Sequence, residues 1–228
     1  MKIAGWHRCS LIDFPGKVAA TLFTQGCNLR CPFCHNGDLW DLQTPGTVPE
    51  GEIFAFLETR KGLLDGVVVS GGEPTLQPDL PDFLRRLREL GFATKLDSNG
   101  FRPEVLENLL ANRLLNFVAL DVKHIPERYA AACGCPVSLD ALRRSLRLLR
   151  ESGLDYELRT TVVPGIHAPE ELPALLELVA GAPRLTLQNF DPRSAASHSL
   201  RLRKPFPPEV LEGLRDKFSP HVGQFSIR

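Results

Sequence analysis

Residues 26 to 36 read GCNLRCPFCHN, which sets cysteines at 27, 31 and 34, a phenylalanine at 33 and a histidine at 35. Thiols at this C-x3-C-x2-C spacing are metal ligands or redox groups before anything else. CPFCH is literally C-x-x-C-H, the pattern of covalent haem attachment. That chemistry calls for export or a maturation compartment and a second axial ligand, and Met1 is the sole methionine. A Cys3His zinc site through His35 is chemically sounder, although Cys34 and His35, adjacent in the chain, are awkwardly placed to converge on one ion. An iron–sulfur cluster accounts for the group best, because thiolates so spaced can wrap three corners of a [4Fe–4S] cube. A cluster that merely stores electrons takes four cysteines, so a loop with three leaves one iron open to another ligand. The other cysteines are Cys9, alone, and Cys133 with Cys135 in a C-x-C. The last two lie far off in sequence and read as plain helix-end thiols, with contact to a partner as the alternative; nothing in the spacing supports their recruitment to the cluster.

Other polar groups gather at the ends of apolar runs: SGGEP at 70–74, DSNG at 97–100, LDVKH at 120–124, PGIH at 164–167 and DPRS at 191–194. Gly71 and Gly72 have no side chain to hold a ligand away from the backbone. Asp121 and Lys123 are two apart on a predicted strand and therefore share a face, where charges pointing inward need partners. Asp97, Ser98 and Asn99 are polar groups at the end of another such run, and Arg159 is a further charge inside a strand. His124 and His167 stand near strand ends and read as structural, hydrogen-bonded histidines.

The elements that must position these groups follow from periodicity. Apolar, β-rich runs at 17–24, 66–70, 92–97, 115–122, 156–163 and 184–190 alternate with helical patterns such as LPDFLRRLREL, PEVLENLL, LDALRRSLRLLRESG and APEELPALLELVAG. Six βα units predict an α/β fold, a partial (β/α)6 TIM-like barrel. A short extra strand comes from KIAGWHRC and another segment from GQFSIR; a doubly wound sheet is the competing layout. Glycines and polar groups at successive strand ends are where α/β barrels place their active sites. One domain is expected over 1–228, with its core at about 17–190.

Composition narrows the partners. The 228 residues are 43% hydrophobic and 24% charged, and 27 basic side chains face 27 acidic ones. No net field recruits nucleic acid or an anionic membrane. The first residues have no apolar signal core, and no stretch approaches a membrane span. A cytoplasmic protein with reduced thiols is expected.

Taken together, the C-x3-C-x-Phe-C motif, SGGEP and LDVK resemble the radical S-adenosylmethionine (SAM) superfamily over nearly the whole chain. Within it, DFPGKVAATLFTQGCNLRCPFCHNGDLW and LDSNGF resemble the activating enzymes of glycyl radical proteins, such as the pyruvate formate-lyase activator. SLIDFPG is most similar to the short type described as anaerobic ribonucleoside-triphosphate reductase activating protein. The resemblance implies that Cys27, Cys31 and Cys34 ligate one [4Fe–4S] cluster, and no second cysteine-rich segment lies between Trp40 and Val67. It implies that SAM chelates the open iron and is cleaved to a 5′-deoxyadenosyl radical, which takes hydrogen from a glycine of a large protein partner. The electron would come from a flavodoxin- or ferredoxin-like donor. By the same resemblance Phe33 packs near the adenine, the backbone at Cys34 and His35 bonds it, and Gly71, Gly72 and Glu73 flank the methionine moiety. Asp121, Lys123 and Arg159 match residues of related SAM sites. Asp97 and Asp121 match a monovalent cation site, or else pair with Lys or Arg. One departure is LQNFDP, which offers Gln188 and Asn189 where pyruvate formate-lyase activators carry a SAM-contacting histidine. Two other readings stay open: a radical SAM enzyme acting on a small molecule or peptide, and a non-enzymatic iron–sulfur or zinc protein.

Overall fold

The computed structural model describes residues 1–228. Eight strands lie in chain order in one sheet: β1 (Ile3–Ser10), β2 (Ala19–Thr24), β3 (Gly66–Gly71), β4 (Ala93–Ser98), β5 (Phe117–Asp121), β6 (Tyr156–Val162), β7 (Arg184–Asn189) and β8 (Gln224–Ile227). β1 pairs antiparallel with β2, whereas β2 with β3, β3 with β4, β6 with β7 and β7 with β8 are parallel. All six predicted central strands are present, within two residues of their expected ends. The N-terminal segment makes a full eight-residue strand rather than a short one.

Helices α1 (Glu50–Glu58), α2 (Leu80–Glu89), α3 (Pro103–Ala111), α4 (Tyr129–Cys133) and α5 (Leu139–Glu151) fill the connections. Proline opens α3 at its first turn, where a missing N–H costs nothing, and the Ser138 hydroxyl caps α5 by accepting from the Ala141 N–H. One expected helix fails. APEELPALLELVAG forms a 3-10 turn over Leu172–Leu175 and only four α-helical residues, Leu176–Val179. Pro173 sits inside that pattern without an N–H to donate, which favours the shorter i→i+3 turn.

The chain divides into two compact units. The first comprises Met1–Asn28, Leu39–Ser98 and Arg102–Val118. Its core joins Ala19, Ala20 and Leu22 of β2 and Val67, Val68 and Val69 of β3 to Ile53 and Leu57 of α1 and Leu80, Leu84 and Leu87 of α2, all fully buried. The second comprises Leu29–Asp38, Asn99–Phe101 and Ala119–Arg228. Leu120, Leu158, Leu185 and Leu187 form its strand core, with Leu142, Leu146 and Leu149 of α5. Each of the buried Leu, Ile and Val side chains contributes about 1.5–3 kcal/mol over leaving it in water. No helix is long and apolar enough to cross a membrane.

Candidate active site

In the first unit β2 runs out at Thr24 and the chain turns through Gly26, at φ +96°, into Cys27. The Gly26 and Cys27 N–H groups donate to the carbonyls of Leu39 and Trp40 at 2.7 and 3.3 Å. The end of β3 is packed against this turn. A Cβ on Gly72 would lie 2.1 Å from the Gly26 carbonyl oxygen, and one on Gly71 would lie 2.2 Å from the Thr24 nitrogen. The Glu73 N–H completes the contact with a 2.8 Å bond to the Gly26 carbonyl. The two glycines therefore let the ends of β2 and β3 close on each other, and the group they make room for is the chain's own backbone.

Glu73 is fully buried. Its Oε1 accepts from the Thr75 N–H at 3.1 Å and from the Ser98 hydroxyl at 2.9 Å, which ties SGGEP to the end of β4. Asp97 pairs with buried Lys95 and accepts from the Ser70 hydroxyl at 3.1 Å. Lys95, two residues before Asp97 on the same face, is a buried charge beside a candidate site residue that periodicity leaves unremarked. The rule that singled out Asp121 and Lys123 would have found it.

In the second unit the rest of the cysteine loop is held at several points. The Arg30 N–H donates to the Cys133 carbonyl at 2.9 Å, the Ala196 N–H to the Cys34 carbonyl at 2.9 Å and the Ser197 N–H to the Pro32 carbonyl at 2.8 Å. His35 Nε2 lies 2.9 Å from the Asp191 carbonyl. His35 is thus directed to a backbone oxygen. The Cys34 sulfur accepts from the Asn36 N–H at 3.3 Å. Phe33 is buried with its ring edge-on to His167, the centroids 6.5 Å apart, as a core aromatic would be. Asn99 closes a local turn, its side-chain oxygen accepting from the Phe101 N–H at 3.1 Å.

Charge in this unit centres on Asp121. Its Oδ1 accepts from Arg159 Nε at 3.0 Å and its Oδ2 from Lys123 Nζ at 3.2 Å. Burial works against the ionised carboxyl, but the charges of Lys123 and Arg159 overcome it and hold the group down at about 2. Asp97 pairs with Lys95, and Asp121 with Lys123 and Arg159. The Tyr129 hydroxyl accepts from the Lys123 N–H at 3.0 Å and donates to the Asp121 carbonyl, fixing the strand end that carries both charges.

His124 and His167 stack at 4.3 Å, both buried. His124 Nδ1 accepts from the Ile125 N–H at 2.8 Å and its Nε2 faces the Ile166 carbonyl at 3.0 Å. His167 Nδ1 accepts from the Val163 N–H at 3.0 Å and its Nε2 faces the Lys123 carbonyl at 2.9 Å. An acceptor nitrogen on each ring makes both neutral. Burial, then the neighbouring imidazole, pushes His167 down to about 4.

Cys133 is the residue that sequence distance concealed. It does end a helix, α4, but it is completely buried and shares a side-chain hydrogen bond with Cys31. That bond, opposed by burial and helped by the Lys123 charge, draws the Cys31 thiol below its ordinary value. Cys133 is pushed up, by the same bond and by burial.

No disulfide joins any of the six cysteines. Nor does any set of three or more His, Cys, Asp or Glu side chains converge to hold one metal ion. Thiolates on a cubane sit on separate irons and need no such convergence. Reduced thiols in an anchored loop, two of the three buried, suit the donor set of an iron–sulfur cluster.

The chain matches the family model described as the radical SAM superfamily over residues 21–179. It is 33% identical over 212 residues to a Methanocaldococcus jannaschii protein named provisionally as a glycyl-radical enzyme activating enzyme, covering 91% of this chain and 87% of that one. It is 36% identical to the pyruvate formate-lyase-activating enzyme of Clostridium pasteurianum, over 71% of this chain and 68% of the other. Among solved structures, Streptococcus suis SuiB bound to its precursor peptide SuiA superposes with a TM-score of 0.70 at 17% identity, covering 90% of this chain and 47% of SuiB. The chain thus spans about half the length of SuiB. QueE from Escherichia coli gives 0.55 at 17% identity, with 99% and 92% covered. These structures show the fold. The chain belongs to the radical SAM superfamily. It is an enzyme of the α/β class with the superfamily's partial-barrel fold, and the superfamily's cofactors are a [4Fe–4S] cluster and SAM.

Proposed function

We propose that the enzyme activates a glycyl radical protein by taking a hydrogen atom from one glycine of that partner. The observation that carries this reading is the anchored cysteine loop in a chain whose relatives are named for glycyl radical activation. Cys27, Cys31 and Cys34 hold one [4Fe–4S] cluster. When bound and reduced, that cluster supplies the electron that breaks a carbon–sulfur bond of SAM. Phe33 and the backbone of Cys34 and His35 receive the adenine, Asp97, Ser98 and Asn99 the ribose, and the methionine end lies along the main chain of Gly71, Gly72 and Glu73, whose Cα faces and buried side chain are turned to the protein itself. Lys123, held by Asp121, offers its ammonium to the SAM carboxylate, and Arg159 keeps Asp121 ionised as that contact forms. A flavodoxin- or ferredoxin-like protein delivers the electron, in the cytoplasm.

For the partner we favour anaerobic ribonucleoside-triphosphate reductase, on the strength of SLIDFPG and of Gln188 and Asn189 in place of a histidine. Pyruvate formate-lyase is the second reading, favoured by the relatives' names. Anaerobic mixing of the reconstituted enzyme, SAM and a reductant with each candidate, followed by electron paramagnetic resonance, distinguishes them. A glycyl doublet with the reductase alone is expected. A doublet with pyruvate formate-lyase alone reverses the choice, and SAM cleavage without a doublet on any glycyl radical protein turns the reading toward a small-molecule or peptide substrate.

A further inference from the structure

The Cys31–Cys133 contact goes beyond that function. Main-chain packing places the two residues together. The last residue of α4 receives the Arg30 N–H on its carbonyl at 2.9 Å, and Gly134 follows in the left-handed region at φ +66°. A Cβ on Gly134 would lie 2.1 Å from the Arg30 carbonyl oxygen, so the backbone from the Cys133 carbonyl through Gly134 is pressed against the residue preceding Cys31. The two sulfurs share a hydrogen bond inside this contact. We infer that Cys31 and Cys133 are a redox-modification site, closing to a disulfide when the chain carries no cluster and meets a disulfide oxidant.

Exposure sets the order of events. Cys31 retains 5% of its surface and Cys133 none, so an incoming oxidant reaches Cys31 first. The Cys31 thiolate attacks one sulfur of oxidised glutathione and expels a glutathione thiolate. Cys133 then attacks the Cys31 sulfur of the mixed disulfide and expels the second. Two protein thiols are oxidised, one glutathione disulfide is reduced, and the two protons pass to the two glutathione thiolates. The result is a buried bridge across a proposed cluster ligand. It blocks metal loading until a reductant opens it, and it shields Cys31 from the irreversible steps of thiol oxidation. Cys135 is the competing thiol, but its sulfur is directed at the Cys133 carbonyl, 3.6 Å away.

The test uses the full chain, stripped of iron under argon, treated with oxidised glutathione, alkylated, digested and mapped by mass spectrometry. A cross-linked peptide pair joining Cys31 to Cys133, lighter by two hydrogens, is expected in the wild type and in Cys135→Ser. It should be absent from Cys133→Ser and from Cys133→Ala, the second variant guarding against a hydroxyl that disturbs a buried pocket. Iron uptake on reconstitution should fall roughly tenfold after oxidation and recover with dithiothreitol. A link between any other pair of cysteines, or glutathione retained on Cys31 while Cys133 is alkylated, overturns the inference. The mapping is done without cluster, SAM or partner, so its outcome is independent of whether the chain activates a glycyl radical protein.

Discussion

Asp121 serves two cations at once, and removing its charge strands both. In Asp121→Asn, Lys123 and Arg159 keep their charges beside each other in a site where neither is more than 16% exposed. A fully buried pair broken in this way costs about 3–5 kcal/mol; because the carboxyl itself retains contact with water, about 2 kcal/mol is expected from urea denaturation at pH 7. The native carboxyl lies below its ordinary value, so its contribution is complete above pH 3.8 and is lost as the pH falls toward 2. The gap between variant and wild type should therefore close in that acid range.

His167 acts in the same direction at milder pH. Folding holds it neutral and lowers it from 6.5 to about 4, so the unfolded chain binds the extra proton between those values. Stability is complete above pH 6.5 and declines as the pH falls to about 4. From pH 7 to pH 5 the wild type should lose about 2 kcal/mol through this group, and His167→Gln should flatten that slope in urea denaturation at the two pH values.

The elements owe part of their arrangement to close backbone approaches at glycines, Gly71, Gly72 and Gly134 among them. Gly72→Ala would force a methyl to within 2.1 Å of the Gly26 carbonyl, an obstacle no side-chain rotation relieves. A loss of at least about 3 kcal/mol is expected in thermal denaturation. Gly153→Ala, also outside a strand but with open space around its Cβ at φ +67°, should cost only about 1 kcal/mol. Gly134→Ala combines both penalties, a positive φ and a 2.1 Å clash with the Arg30 carbonyl. Because this contact anchors the cysteine loop, Gly134→Ala should speed hydrogen exchange at the Arg30 amide and reduce the iron bound after reconstitution, without loss of the β-sheet signal in circular dichroism.

At the scale of the whole molecule the prediction concerns chemistry. Anaerobically reconstituted protein should bind about four irons and four sulfides per chain and yield 5′-deoxyadenosine from SAM when reduced. Cys31→Ala should yield neither cluster nor cleavage product, measured by iron assay and chromatography. Zinc in place of iron, or a cluster with SAM untouched, would leave the chain a binding or electron-transfer protein.

The βα alternation, all six central strands and the cysteine loop were legible in the sequence because each is a local pattern: a run of apolar residues, a helical period, three thiols within eight positions. Even the misread helix over APEELPALLELVAG failed for a local reason, Pro173, that periodicity alone underweighted. What tertiary structure alone decided is which distant groups meet. Asp121 takes Arg159, the paired glycines of SGGEP accommodate the chain's own backbone, and Cys133 arrives beside Cys31 from about a hundred residues away. A residue's type and spacing fix what it can donate, accept or ligate. Its partner and its charge state depend on burial and on neighbours that only the folded chain brings within reach.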